Sequence, residues 1–489
     1  MQKSLLVLCG KLRADSALGQ QLGIDDIFSL RLGPHTYRTI LEERLSDARA
    51  SYDVVWDTTL EGTELSVGKV RAFLFSQVPA WKTYRNVVMY PGALHFKDPA
   101  LMRSILNKLA LSDQPAATSD APELCAFPAS LIEILEIQDR SIRGLDHQIT
   151  IEAGERSLDL SQSRGIFEVS RTSTAARHFN EFTEAGPYLV KRSRKTNKAK
   201  QEYTYLSQLP ESVRAYFPAV GAYRENGETQ EYEVEFVPMF DASRLLIHGA
   251  LTPEVFELLL RRIDEYRSRC PVKKVNRAEY VAAMQSLFID KLEARLVEFK
   301  AHPESKRVLE FARFIAPDEL GSGLDGLVAQ LTKRLAEKIK SVDGDSLSFS
   351  HGDLCLANIL FDHRSGYLKL IDPRGMNRLD DAYLPWYYDL AKLSHSILGC
   401  YDLIINGLAS VEVDKKLNLH MKLGANNDGT GALAQVFKSW VRHNKWDYEL
   451  LRLCEASLFL SMLPLHMDKP DSVIQHIMAG ARSLRDASA

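Results

Sequence analysis

The chain has 489 residues, which is too long for one ordinary hydrophobic core and indicates two or three domains. Hydrophobic residues make up 45% of the chain and charged residues 26%, so the composition excludes a disordered protein, a collagen-like protein and a coiled coil. The formal net charge of −3 argues against a dedicated nucleic-acid-binding protein, because such proteins usually carry a strongly basic domain.

The cysteine distribution and the hydropathy of the chain indicate where in the cell the protein is expected. The 6 cysteines lie far apart and form no C-x-x-C pair, so we expect neither a zinc site nor a disulfide framework. The N-terminal residues show no signal-peptide cleavage region, and no stretch approaches the ~20 apolar residues that cross a bilayer. We therefore expect a cytoplasmic protein with no membrane span.

Residues 1–115 are predicted to form a small α/β domain. Compact apolar runs bounded by polar residues, Gly or Pro are typical of buried strands, and apolar residues that recur at i, i+4 and i+8 are typical of helices. The predicted strands span 4–8, 54–56 and 86–90, and the predicted helices span 36–48 and 99–111.

The function of this first domain has two interpretations. A nucleotidyltransferase holds its triphosphate on a glycine-rich loop with Arg and Lys, directly after the first strand. Gly10, Lys11 and Arg13 stand at that point, which would fit a degenerate nucleotidyltransferase-like domain. With a single glycine, however, the segment also fits an ordinary strand-to-helix loop, and that is the simpler interpretation.

The composition changes after this domain. The segment 112–122 is rich in Pro, Ala, Ser and Asp and lacks apolar periodicity, which is typical of a linker. A second polar passage follows, so we predict a linker region over 116–164. Short apolar runs then predict a β-rich segment over 165–245, and helical periodicity predicts a helical segment over 246–489.

The passage 348–375 carries the chemistry. The triplet His-Gly-Asp at 351–353 precedes a predicted β-hairpin, Asn358 stands five residues after the Asp, and Asp372 follows the second strand. Phosphoryl transfer from a nucleotide needs a carboxylate for the proton of the acceptor hydroxyl and oxygen ligands that hold magnesium on the phosphates. One rigid hairpin would present these groups together, which predicts a phosphotransferase site.

The motif H-G-D-x-x-x-x-N, followed by a hydrophobic run and Ile-Asp, resembles that of the aminoglycoside phosphotransferase and choline kinase family. The resemblance implies an α+β fold in which a protein-kinase-like, two-lobed phosphotransferase domain follows the smaller α/β domain. It implies that His351 and Asp353 form the catalytic pair, with Asp353 as the base. It also implies that Asn358 and Asp372 bind Mg²⁺, and that Asp389 supports the catalytic region.

Each of these residues also has an ordinary structural interpretation. Gly in a His-Gly-Asp triplet supplies backbone freedom in turns, and Asp caps helices and turns. Asn358 alone would be a turn former, and Asp372 alone would end a strand. Asp389 fits a buried cap of a neighbouring backbone equally well. The joint spacing and the hairpin context favour the functional interpretation for the other residues.

The resemblance further implies a lysine for the nucleotide phosphates and a helical glutamate that holds it. Lys191 ends a predicted strand, and Glu202 lies eleven residues later in a predicted helix. Lys191 also opens the basic run 191–200, which is typical of a solvated surface. Lys198 in a neighbouring register is therefore an alternative.

The glycine-rich loop of protein kinases is absent. The segment 170–177 would join the first two strands, and there Ser173 and Arg177 could bind phosphate oxygens, although an ordinary Ser/Thr-rich turn explains the segment equally well. Glu235 and Val237 would form the hinge, where backbone groups could bond the adenine edge. The alternative for the hinge is a core strand that leads into a loop.

These observations predict an enzyme that uses ATP and Mg²⁺ to phosphorylate a hydroxyl group of a small metabolite such as a sugar, polyol or amino alcohol. Its partners would be a nucleotide and the hydroxyl acceptor, with no nucleic acid. The segment 170–193 is also similar to kinase-type domains encoded with bacterial capsule and surface-polysaccharide enzymes. The alternative is a non-catalytic, pseudokinase-like scaffold for the first domain. The retained Asp353, Asn358 and Asp372 favour the enzyme.

Overall fold

The structure is a computed structural model that describes residues 2–46, 51–61, 65–119, 121, 124–134, 149–151, 157–162, 165–166, 180–185, 188–194, 197–227, 229–315, 323–423 and 428–488. The chain divides into two units, Met1–Ala175 and Ala176–Ala489, and each unit contains both sheets and helices. Among the described residues, no helix combines the length and the apolar character that are needed to cross a membrane.

The first unit is built on a mixed sheet. Its strands are β1 (Ser4–Lys11), β2 (Arg31–Leu32), β3 (His35–Thr36), β4 (Tyr52–Glu61), β5 (Asn86–Pro91), β6 (Leu94–Phe96), β7 (Ala116–Thr118), β8 (Cys125–Pro128), β9 (Ile149–Ile151) and β10 (Ser157–Asp159). The main sheet has the order β4-β1-β5-β8-β7-β9. In it, β1 runs parallel to both β4 and β5, whereas β8 runs antiparallel to β5 and β7. Most of β1 is buried, which explains its unbroken apolar run.

The helices of the first unit are α1 (Ala17–Leu22), α2 (Tyr37–Arg44), α3 (Val67–Gln77), α4 (Pro99–Leu111) and α5 (Ala129–Ile134). The predicted helix over 99–111 is confirmed as α4. Its start is set by Asp98, whose side chain accepts the backbone N–H of Ala100, and by Pro99 at the first helical position. The predicted helix over 36–48 begins as expected but already ends at Arg44.

The linker prediction for 116–164 is wrong in its first part. Strands β7 and β8 pair with each other, β8 also pairs with β5, and the residues of β7 are buried. Runs of three or four residues are too short to show a strand period, so the sequence pattern alone does not identify these strands. Much of the remaining segment lies outside the described residues.

The residues of the expected phosphate loop lie differently from the prediction. Gly10 and Lys11 belong to β1 and are not in a loop. A Cβ on Gly10 would lie 2.2 Å from Cε2 of Phe28, so close packing explains the glycine. Arg13 Nε donates to Asp15 Oδ1 over 2.9 Å. The glycine-loop arrangement of a nucleotidyltransferase is therefore not formed at this position.

The second unit begins with strands and continues with helices. Its strands are β11 (Asn180–Ala185), β12 (Tyr188–Arg194), β13 (Val220–Asn226), β14 (Thr229–Glu235), β15 (Val272–Lys274), β16 (Ser346–Phe349), β17 (Ile359–Asp362), β18 (Tyr367–Leu370), β19 (Tyr383–Leu384), β20 (Ala409–Val413) and β21 (Leu419–Leu423). One antiparallel sheet has the order β11-β12-β14-β13, and in it Lys191 lies opposite Tyr232. Within the predicted β-rich segment 165–245, residues 167–179 fall outside the described residues.

Helices dominate the chain after residue 246, as predicted. The helices of this unit are α6 (Lys198–Ser207), α7 (Glu211–Arg214), α8 (Ala242–Ile247), α9 (Pro253–Arg269), α10 (Arg277–Gln285), α11 (Lys291–Ala301), α12 (Ser305–Ala312), α13 (Gly323–Ser341), α14 (Tyr387–Ile397), α15 (Tyr401–Ile405), α16 (Asp428–His443), α17 (Tyr448–Ser461) and α18 (Pro470–Asp486). A π-helical turn, Ser286–Asp290, joins α10 to α11. Helix α17 is buried almost throughout, and its Arg452 forms an ion pair with Glu455 of the same helix.

The predicted hairpin is confirmed. Strands β17 and β18 pair antiparallel, with Ile359 opposite Leu370. The turn between them uses Gly366 at a φ of 67°, a conformation that favours glycine. The hairpin thus places the residues before β17 next to the residues after β18.

Candidate active site

The site is built on two loops at the base of this hairpin. One loop, residues 351–358, precedes β17, and the other, residues 371–374, follows β18. The backbone N–H of Arg374 donates to His351 O and that of Ile371 donates to Asn358 O, each over 3.0 Å. These hydrogen bonds hold the two loops side by side, so the side chains that they carry share one site.

Asp389 at the start of α14 anchors the first loop. Its carboxylate accepts the backbone N–H of His351 over 2.8 Å and that of Gly352 over 2.7 Å. Burial raises the pKa of Asp389 to about 7, against the effect of these hydrogen bonds. Gly352 has a φ of 76°, so the loop requires a residue that tolerates the left-handed region. The structure therefore gives Asp389 the backbone-capping contact that the sequence left as one of two interpretations.

The ring of His351 is fully buried and both of its nitrogens contact backbone groups. Nδ1 accepts the backbone N–H of Asp353 over 3.2 Å, so Nε2 carries the proton and donates to Ile371 O over 2.9 Å. Burial lowers the pKa of His351 to about 4, which keeps the ring neutral at neutral pH. His351 therefore orients Asp353 and joins the two loops. These contacts are those of a positioning residue and do not support its predicted place in the catalytic pair, because both ring nitrogens are occupied by backbone groups.

Asp353 is held by two neighbouring side chains. Nδ2 of Asn358 donates to the backbone oxygen of Asp353 over 2.8 Å and to its Oδ2 over 3.2 Å. The ammonium group of Lys392 lies 2.8 Å from Asp353 Oδ1. The Asp353 side chain is 38% exposed, so it is accessible to a ligand.

The sequence analysis missed Lys392. It lies three residues after Asp389 on α14, and residues at this spacing share one helix face. Burial opposes the charged form of Lys392, but the carboxylate of Asp353 outweighs burial and raises the pKa of the lysine. The spacing within α14 could have identified Lys392. The helix that anchors the loop 351–358 through Asp389 presents Lys392 to the same loop.

Lys191 is the centre of the second half of the site. Its ammonium group lies 2.6 Å from Glu202 Oε2 and 2.7 Å from Asp372 Oδ1. Glu202 also accepts a hydrogen bond from the hydroxyl of Tyr232 over 3.0 Å. Burial favours the neutral amine, but the charge of Asp372 and the neighbouring Tyr232 and Glu202 raise the pKa of Lys191. The alternative, Lys198, is half-exposed and lies 3.6 Å from Glu202.

Asp372 occupies a strained position two residues after the end of β18. Its φ is 53°, in the left-handed region that non-glycine residues rarely adopt. Burial tends to raise the pKa of Asp372, but the charge of Lys191 outweighs it, and the pKa is lowered. The carboxylate is therefore ionised, and its side chain is 48% exposed.

These contacts define the possible ligands of a cation. Asn358 offers its amide oxygen and Asp372 its carboxylate, and both are the hard oxygen ligands that Mg²⁺ prefers. Among the described residues, no three or more His, Cys, Asp and Glu side chains form a metal-binding group. Mg²⁺ at this place would take its further ligands from phosphate oxygens and water, as is usual for this ion.

The other predicted nucleotide contacts are not assembled in the described residues. Ser173 and Arg177 lie outside them. Glu235 ends β14, and its backbone N–H donates to Ala219 O, while Val237 O accepts the N–H of Met239. Glu235 and Val237 thus lie where β14 leads into a loop, and their hinge function stays a prediction.

Comparison with known proteins finds weak likenesses. No protein-family model matches the chain, and no curated protein matches it. A glucosamine kinase structure is similar at 13% identity over 64% of this chain and 79% of the other, with a TM-score of 0.36.

Two further structures are similar. One is a thermostable mutant of an aminoglycoside phosphotransferase in a ternary complex with ADP and hygromycin B, at 12% identity over 65% of this chain and 97% of the other, with a TM-score of 0.33. The other is a choline kinase from Cryptosporidium parvum, at 10% identity over 67% of this chain and 95% of the other, with a TM-score of 0.32. Likenesses at this level assign neither an activity nor a substrate.

Proposed function

We propose that the chain is a small-molecule kinase, which transfers the γ-phosphoryl group of ATP to a hydroxyl group with Mg²⁺ as the metal. In this proposal, residues 165–245 and 246–489 are the two lobes of a protein-kinase-like domain, and the α/β domain precedes them. The observation that carries the proposal is the contact of Lys191 with both Glu202 and Asp372.

This contact joins three separate elements at one charged group. Lys191 lies on β12, Glu202 on α6, and Asp372 in the loop that follows β18. A buried lysine costs free energy unless its charge is compensated, and here Glu202 provides a compensating charge that is as deeply buried. Asp372 is half-exposed, so a ligand could reach its carboxylate, directly beside the buried ammonium group. Phosphates and their magnesium ion need this combination of charges.

The residues on the hairpin would bind the metal and the acceptor. Mg²⁺, when bound by Asn358 and Asp372, would supply charge neutralisation on the phosphate oxygens. Asp353 would accept the proton of the acceptor hydroxyl as its oxygen bonds to the γ-phosphorus and the bond from that phosphorus to the bridging oxygen breaks. ADP then leaves with the bridging oxygen, and the proton stays on the Asp353 carboxylate. Lys392 would hold Asp353 in position throughout.

The proposed acceptors are small hydroxylated metabolites, namely sugars, polyols and amino alcohols. The similarity of 170–193 to kinase-type domains of capsule and surface-polysaccharide systems places sugars of those polymers among the compounds to test. Positioning and electrostatics would provide most of the rate enhancement, as is general for phosphoryl transfer.

The test is ADP release by the full chain with MgATP and a set of sugars, polyols, choline and aminoglycosides. Mass spectrometry of the acceptor identifies phosphorylated product. Asp353→Asn is expected to lower turnover by about 10²–10⁴-fold, because it removes the proton acceptor. Asp345→Asn is the matched control, since Asp345 also pairs with a lysine, Lys274, at 2.7 Å, and is 70% exposed.

The outcomes separate the two functions. Phosphorylated product that depends on Asp353 and not on Asp345 supports the kinase. A wild-type rate in Asp353→Asn would contradict the assignment of the base. If the wild type binds MgADP but phosphorylates no acceptor, the non-catalytic, pseudokinase-like scaffold is the better description.

A further inference from the structure

A cavity of about 110 Å³ lies beside Asp353, between residues of α11 and α14. Helix α11 contributes Lys291 and Arg295 to its wall, and α14 contributes Lys392 and His395. The rest of the wall combines apolar and hydroxyl groups from Cys355, Tyr401, Leu458, Ser461, Met462 and Leu465. Since Asp353 belongs to the wall, a compound in this cavity would meet the proposed proton acceptor.

Positive charge dominates the wall of this cavity. The cavity is lined by three cationic side chains, Lys291, Arg295 and Lys392. Among the described residues of its wall, Asp353 provides one carboxylate. Lys392 is paired with Asp353. Arg295 is 34% exposed and forms an ion pair with Glu298, one helical turn further along α11, over 2.6 Å.

Lys291 differs from the other two cations because its hydrogen-bond partner is an uncharged group. Its ammonium group donates to the hydroxyl of Tyr388 over 2.7 Å. Arg374 lies near the same phenol ring, with its Cζ 5.3 Å from the ring centroid. Burial alone would raise the pKa of Tyr388, yet the charges of Lys291, Lys392 and Arg374 lower it. Two cations, Lys291 and Arg374, therefore lie against this phenol.

His395 adds a second, independent feature. Its ring is 1% exposed and packs between Tyr401 and Phe459, with centroid distances of 4.2 and 4.1 Å. Within the described part of the chain, neither ring nitrogen has a hydrogen-bond partner. A buried polar group without a partner is unfavourable, so the pair of nitrogens indicates a ligand hydroxyl. Burial and the charge of Lys392 lower the pKa of His395, so the ring is neutral, with one donor and one acceptor.

From these two features we propose that the phosphoryl acceptor is a hydroxylated anion, that is, a sugar-like compound with a carboxylate or phosphate group. Its negative group would bind Lys291 and Arg295, one hydroxyl would reach Asp353, and another would bond His395. This inference rests on the proposed kinase function. It narrows the proposed acceptors by leaving out amino sugars and amino alcohols, because an ammonium group beside Lys291 and Arg295 would meet like charges.

The experiment measures binding and turnover separately. Glucuronate, galacturonate and glucose 6-phosphate are titrated calorimetrically into the MgADP-loaded full chain, with glucose and glucosamine as neutral and cationic counterparts. The MgADP keeps the anions from binding at Lys191. Turnover with MgATP is followed in parallel for each compound by phosphorylated product.

The variants are Lys291→Met and Arg295→Met, singly and together, with Lys300→Met as the matched control. Lys300 lies on the same helix, is 52% exposed, and pairs with Asp325. Loss of one charged hydrogen-bond partner should weaken binding of the anions by about tenfold, and glucose by less than about twofold. Lys300→Met should bind all five compounds as the wild type does. The carboxylate and phosphate probes show which anionic group the cavity favours.

The inference fails if the anions bind the wild type no more tightly than the double variant, or if glucosamine is phosphorylated as efficiently as the anionic compounds. The second result would leave the kinase function intact and overturn only the acceptor class. A different outcome would overturn the kinase function and support a simple anion site. In that outcome, the anions bind through Lys291 and Arg295, Asp353→Asn does not change this binding, and no compound is phosphorylated.

Discussion

The ammonium group of Lys191 lies 2.7 Å from a carboxylate oxygen of Asp372, although 181 residues separate the two in the chain. The same group lies 2.6 Å from Glu202, and both Lys191 and Glu202 are 1% exposed. Removing one member of a buried ion pair leaves an uncompensated charge, which costs about 3–5 kcal/mol. Stability and proposed function therefore depend on the same contact and must be separated by experiment.

Lys191→Met is expected to lower the free energy of unfolding by about 3–5 kcal/mol, because Glu202 loses its buried, closest cationic partner. The double variant Lys191→Met/Glu202→Gln should recover most of this loss, because no buried charge remains. Turnover should be at least ~100-fold lower in both variants, since neither can bind phosphate through the ammonium group. Urea unfolding and ADP release measure the two effects.

Lys198→Met is the comparison for this pair. Lys198 belongs to the same basic run but is half-exposed, at 3.6 Å from Glu202. Its loss should change the free energy of unfolding by less than about 1 kcal/mol and leave turnover close to that of the wild type. A variant pattern in which Lys198 and not Lys191 is needed for turnover would show that the other register is the functional one.

Gly352→Ala tests the geometry of the loop. A Cβ at this position would lie 2.7 Å from Cβ of Arg374, in addition to the strain of a φ of 76°. Gly249 has the same φ of 76° and no atom within 4 Å of a built Cβ, so Gly249→Ala measures the backbone strain alone. We expect Gly249→Ala to cost about 1–2 kcal/mol in free energy of unfolding, and Gly352→Ala to cost more and to lower turnover. Equal losses of unfolding free energy in the two variants would mean that the loop adjusts to the added methyl group without further cost.

His351 predicts the pH dependence of stability. Its pKa is about 4 in the folded chain, against 6.5 for the ordinary imidazole, so the unfolded chain binds the proton more readily. The stabilisation is therefore present above pH 6.5 and is lost as the pH falls toward 4. Relative to His351→Gln, the wild type should lose roughly 3 kcal/mol of unfolding free energy across this range. Urea unfolding at several pH values measures it, and parallel curves for the two proteins would refute the burial argument.

Lys392→Met tests the residue that the sequence analysis missed. Without the ammonium group, Asp353 loses the partner at 2.8 Å that fixes its carboxylate. We expect kcat to fall by about 100-fold, with the KM for ATP unchanged within about twofold, because the lysine positions the acceptor side of the site. Lys274→Met is the control, since Lys274 is 76% exposed. A rise in the KM for ATP without a change in kcat would assign Lys392 to nucleotide binding instead.

The hairpin half of the site was predictable because its residues are close in the chain. A two-stranded hairpin brings the residues before its first strand next to those after its second, so the spacing of Asp353, Asn358 and Asp372 indicated their proximity. The same local reasoning predicted α4, whose start is encoded by Asp98 and Pro99. The family resemblance placed His351 in the catalytic pair, however, and neither the motif nor its spacing shows that both ring nitrogens bond backbone groups.

The sequence alone determined which polar side chains meet at the base of one hairpin, and it determined the helical or stranded character of long periodic segments. The tertiary structure decided which lysine of the basic run is buried against Glu202, that β7 and β8 join a sheet, and that Lys291, Arg295 and Lys392 surround one cavity. The physical reason is that burial, strand pairing and the local electric potential depend on partners that are distant in the chain, and local periodicity carries no record of them.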